Sequence, residues 1–103
     1  MTPPDRTVLE QRWLHLTRHT LPALAAARGW PVRHDHCFAR ILLDQVCGGR
    51  WYDHVPARPA YKHLTLDQLA AAVALAESVA ASTVDLHALN RASLAWRAKR
   101  VKT

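Results

Sequence analysis

The sequence predicts an all-α protein, a small single-domain bundle of four or five helices with a long irregular connection at about residues 48–64. Three observations carry that prediction. Apolar residues recur at helical spacing in several separate segments, helix-ending glycines and helix-opening caps bracket those segments, and no stretch alternates polar with apolar as a half-buried strand does. At 103 residues, half of them hydrophobic, the chain suffices for one core and is too short for two. A single domain over residues 1–103 is expected, with frayed ends at about 1–5 and 101–103.

The first helical segment runs from Thr7 to about Arg28, with Leu9, Trp13, Leu16, Leu21 and Leu24 close to a 3.6-residue period. Pro22 lacks an N–H and its ring crowds the preceding turn, so the helix kinks near His19 and Thr20 or restarts with Pro22 in a first turn. Gly29 stops it, and Trp30 before Pro31 starts an extended link. The next helix runs from about Asp35 to Cys47, with Asp35 as N-cap, Phe38, Ile41, Leu42 and Val46 as its apolar stripe, and Gly48 and Gly49 as its stop.

Residues 50–63 hold two prolines and no sustained period, so they form a connection with at most a short helical turn. A third helix opens at Thr65. Thr65 and Gln68 match a capping box, Leu64 and Leu69 a hydrophobic staple, and the stripe continues through Leu66, Leu69, Val73, Ala76 and Ala80. Ser82 and Asp85 have the spacing of a second capping box, from which a last helix runs through Leu86, Leu89, Ser93 and Trp96 to about Arg100. Trp13 and Trp96, on apolar faces, are assigned to the core. A helix-turn-helix is rejected on spacing, because the pattern runs past Ala76 and no glycine occurs between 65 and 103.

Charge narrows the partners. Fourteen Lys and Arg against eight Asp and Glu give a formal net charge of +6, which favours an anionic partner, nucleic acid first. The Arg-over-Lys bias is bacterial-like and also arises from GC-rich coding alone. No apolar run spans a bilayer, the first residues lack a signal-peptide pattern, and a cytoplasmic location with no membrane partner is expected. Cys37 and Cys47, ten residues apart on one helix and thus ~15 Å from each other, cannot bridge.

The nucleic-acid reading rests on two stretches. Arg91, Arg97, Lys99, Arg100 and Lys102 form a basic run without an acid, suited to phosphate contacts, although cations at a helix C-terminus also satisfy its dipole. In the connection, Arg50, Arg58 and Lys62 interleave with Trp51, Tyr52 and Tyr61, the mix of cations and ring faces that single strands use. The alternative is a small enzyme or ligand-binding domain. His36, Arg40 and Asp44 recur at four-residue spacing, and an anion-accepting pocket lined by them and by the 50–54 turn follows if that stripe faces inward. A second alternative is a protein-interaction module built on the Ala-rich face.

The candidates for chemistry are His36, Cys37, Arg40, Asp44 and His54, none of them assigned a catalytic role. Cys37 near a helix N-terminus between His34 and His36 has the setting of a lowered thiol pKa, yet a cysteine beside Phe38 is more often core packing. His34, His36 and Cys37 with Cys47 or His54 offer zinc donors, but the second closely spaced pair of a zinc signature is missing, so no metal is expected. Asp53 beside His54 has the makings of a carboxylate-oriented imidazole, although neighbours on a loop seldom hold that geometry. No cofactor is implied.

Overall fold

The computed structural model describes residues 5–99, and among these every regular element is helical. Asp5 caps the first helix, α1 (Arg6–His15), by accepting from the Thr7 N–H at 3.3 Å. Of the expected frayed ends only Asp5 is described, and it is in ordered use as a cap. The chain then widens into a π turn, Leu16–Thr20, before α2 (Leu21–Arg28). There the Leu21 N–H reaches back to the Leu16 carbonyl, five residues away. This wide turn is how the helix passes Pro22: the axis neither stops nor restarts, because the loosened register makes room for a residue without an N–H. Thr17, buried at the same place, donates its hydroxyl to the Trp13 carbonyl at 3.0 Å. Gly29, at φ 64°, ends α2 in the left-handed conformation.

Helix α3 (Asp35–Cys47) has the predicted bounds. Its cap position is one residue earlier than expected, at His34, so Asp35 sits in the first turn instead, where its carboxylate accepts from the His36 N–H at 2.8 Å and complements the dipole. Phe38, Ile41, Leu42 and Leu43 are buried on this helix, which packs against α4, α5 and the π turn and so forms the middle of the bundle. Gly48, at φ 71°, ends it.

The connection that follows is irregular as expected, with single 3-10 turns at Trp51–Asp53 and Ala60–Lys62. Arg6 fastens its far end to α1: one η nitrogen donates to the Leu64 carbonyl at 2.9 Å and the other to the Tyr61 carbonyl at 3.1 Å. Helix α4 (Leu66–Ala80) opens on the complete capping box, Gln68 N–H to Thr65 Oγ1 at 3.1 Å and Thr65 N–H to Gln68 Oε1 at 2.9 Å. Leu69, Ala72, Val73, Ala76 and Val79 face the core, whereas Leu66, expected in that stripe, is exposed at the first position of the helix.

The second predicted capping box does not form. Ser82 instead adopts φ 64° in the turn leaving α4, and Asp85 caps α5 (Leu86–Lys99) through the His87 N–H at 2.9 Å. Both ends thus use short polar side chains, but for opposite jobs. Trp13 is buried as assigned, while Trp96 is only partly so. Among the described residues no helix is long and apolar enough to cross a membrane.

Candidate functional site

Two polar stripes meet where α3 lies against α5. From α3 come Arg40 and Asp44, one turn apart, and from α5 come Asn90, Ser93 and Arg97, at spacings of three and four. Asp44 is fully buried, and a buried carboxylate is tolerated only when paired and hydrogen-bonded. It accepts from Arg97 Nε at 3.0 Å and Nη2 at 3.1 Å, from Ser93 Oγ at 2.6 Å, and from the Trp51 backbone N–H at 2.9 Å. The last bond ties the start of the connection to α3.

Arg40 is held by neutral partners, donating to Ser93 Oγ at 2.8 Å and to Asn90 Oδ1 at 2.9 Å. The expected Arg40 to Asp44 pair is therefore indirect, relayed through the Ser93 hydroxyl. Burial, and then the Arg97 guanidinium beside it, pull the Arg40 pKa below its ordinary value. Burial first and Asp44 second push the Cys47 thiol up.

Above these stripes opens a cleft of about 680 Å³, within the size range of small-molecule sites. The π turn contributes Arg18, α3 contributes His36 and Arg40, the connection contributes Trp51, Tyr52, Arg58 and Tyr61, and α5 contributes Arg97. Trp13, Leu14, Leu43 and Ala60 supply apolar wall. The arginines lie against rings: the Arg58 guanidinium is 4.9 Å from the Trp51 ring centre and that of Arg97 is 5.2 Å from the Tyr52 ring centre. Such contacts restrain long side chains without neutralising them.

Four guanidiniums share the cleft with one carboxylate, Asp35, at its rim. The other arginines with recorded partners work elsewhere in the fold. Arg12 pairs with Glu77, Arg28 donates to the Val79 carbonyl, and Arg50 pairs with Asp53 at 2.6 Å. Among the described residues no carboxylate lies within ion-pair distance of Arg18, Arg40 or Arg58.

The residues singled out from sequence are thus partly gathered and partly dispersed. His36, Arg40, Trp51, Tyr52, Arg58, Tyr61 and Arg97 line one cleft. Asp44 lies behind the wall rather than on it, as the anchor of Arg97. Lys62 turns to Glu10 at 3.6 Å, and Arg91 is exposed on α5. The side chain of Lys99, together with Arg100 and Lys102, lies outside the described residues. Cys37 is half-buried and does not line the cleft. His54 is exposed, and its neighbour Asp53 serves Arg50 rather than orienting it. Among the described residues no group of three or more His, Cys, Asp or Glu side chains is placed to hold a metal.

Sequence reasoning missed Arg18, Asn90 and the role of Ser93. A signal existed for the last two: Asn90, Ser93 and Arg97 form a polar stripe on an otherwise apolar helix face, complementary in spacing to Arg40 and Asp44. Arg18 carried none, because the π turn that presents it has no sequence signature beyond Pro22. No protein-family model, no curated protein and no solved structure matches this chain.

Proposed function

We propose that the protein is a ligand-binding domain whose cleft between the π turn, α3, the connection and α5 takes a small anionic molecule with an apolar body. One observation carries this reading: Arg18, Arg40 and Arg58, from three different elements, line one apolar-walled cleft without a carboxylate partner. Guanidiniums that a fold needs for itself are met by its own acids or carbonyls, as Arg6, Arg12 and Arg50 are. Those left unmet around a concave surface are arranged for an anion that arrives from outside. Arg40 and Arg97 are also preorganised, since Ser93, Asn90 and Asp44 fix them before any ligand is present.

A surface that tracks nucleic-acid phosphates has less support than the cleft, because Arg50, Lys62 and Arg97 are each engaged with an acid of the fold. The two readings share Trp51, Tyr52, Arg58 and Tyr61, so an experiment separates them. Titration calorimetry with aryl carboxylates and aryl phosphates is expected to show one site, weakened about tenfold or more by Arg18→Ala or Arg58→Ala. Both side chains are exposed and hydrogen-bond to nothing in the fold, so these variants test binding without threatening folding. Binding of a single-stranded oligonucleotide that is unaffected by either change, with no binding of the small anions, would refute the cleft reading.

A further inference from the structure

The charge balance of the cleft goes further than its sign. Arg97 is matched by Asp44, directly and with two hydrogen bonds. Arg18, Arg40 and Arg58 then bring three positive charges against the single carboxylate of Asp35, which stands 3.7 Å from His36 at the rim. With His36 neutral, two positive charges are left unmet. A carboxylate, a sulfate ester or an internal phosphodiester brings one negative charge and leaves one guanidinium desolvated without a counter-charge; a phosphate monoester brings about two above its second pKa near 6.

Shape agrees with charge. Three guanidiniums approach from three elements, and the three terminal oxygens of a phosphoryl group divide among them, whereas a planar carboxylate has two oxygens to offer. The cleft, at about 680 Å³, is far larger than a phosphate ion, and Trp13, Leu43 and Tyr61 give its remainder an apolar lining. The occupant therefore carries its phosphoryl group on an apolar or ring-bearing body. Resting on the anion-cleft reading, we infer that the site selects phosphate monoesters as dianions, the phosphoryl group lying among Arg18, Arg40 and Arg58 and the esterified group along the aromatic wall. The same chemistry occurs in a free small ester and at the 5′-phosphorylated end of a nucleic-acid strand.

Calorimetry on the full chain with phenyl phosphate and phenyl sulfate tests this, because the two probes match in shape and differ by one charge. At pH 7.5 phenyl phosphate is expected to bind at least tenfold more tightly. Between pH 7.5 and 5.0 that ratio is expected to fall about tenfold, following the loss of the free dianion below its second pKa near 6. Protonation of His36, the histidine at the cleft, alters both probes alike and cancels in the ratio. Arg18→Ala and Arg58→Ala should each lower the ratio at pH 7.5.

A ratio below tenfold at pH 7.5, with both probes bound, overturns the dianion inference and leaves the anion cleft standing. Failure of both probes to bind folded protein removes the cleft reading as well. An oligonucleotide with a 5′-phosphate, compared with the same strand ending in a hydroxyl, distinguishes the sources. Tighter binding of the phosphorylated strand assigns a strand end, and equal binding alongside tight phenyl phosphate assigns a free ester.

Discussion

Replacing Asp44 with asparagine keeps the side-chain shape but removes the one negative charge buried between α3 and α5. Four donors converge on that carboxylate, two from Arg97, one from Ser93 and one from the Trp51 backbone. An amide can accept at one oxygen only, and its NH2 group would point a donor at other donors. Removing one partner of a buried pair costs about 3–5 kcal/mol. Because the Arg97 side chain is 26% exposed, the lower end applies, about 3 kcal/mol. With a urea slope of about 1–1.5 kcal/mol/M for a domain of this size, the midpoint of urea unfolding should fall by about 2 M. Adding Arg97→Met removes the orphaned guanidinium and should restore about 1 kcal/mol or more. An Asp44→Asn midpoint within about 0.5 M of the parent, or a double variant no more stable than the single, would refute the view that this pair governs α3–α5 packing.

Three further outcomes are expected. Thr65→Ala opens the capping box of α4 and should cost about 1 kcal/mol in urea unfolding, with no effect on ligand binding, since Thr65 lies outside the cleft. Gly48→Ala places a β-carbon on a residue at φ 71° with open space around it, so the loss, about 1 kcal/mol, is conformational strain alone. Cys47, whose thiol is pushed up by burial and by Asp44, carries less thiolate at pH 8 than an ordinary cysteine; iodoacetamide should alkylate it more slowly than free cysteine, and equal rates would contradict the burial.

What the residues told in advance follows a physical division. Where a signal is local, it held: the Thr65 and Gln68 box, the glycine stop at 48 and the bounds of α3 depend on hydrogen bonds within one or two turns. Where two local signals compete, the wrong one was read. Ser82 has the spacing of a cap, but the chain needs a left-handed residue there to leave α4, and Asp85 is the side chain that then faces the free N–H groups.

The site was legible only in part, since its logic is tertiary. Periodicity put Arg40 and Asp44 on one stripe, yet it could not tell that Asn90, Ser93 and Arg97, some fifty residues on, would meet that stripe and draw Asp44 into the interior. Nor could composition sort arginines into those that brace the fold and those that face the cleft, because the sorting depends on where the acids end up.

The wide turn at Leu16–Thr20 has the arithmetic of one surplus residue in a helical ladder. Deleting one residue there would close the ladder into ordinary α-helix and rotate everything after it by about 100°. Leu21 and Ala25 would swing away from the core they now fill, Pro22 would meet a regular helix interior, and Arg18 would lose its bearing on the cleft. The length of this segment is thus as constrained as its composition: conservative substitutions there are tolerable where loss of a single position is not.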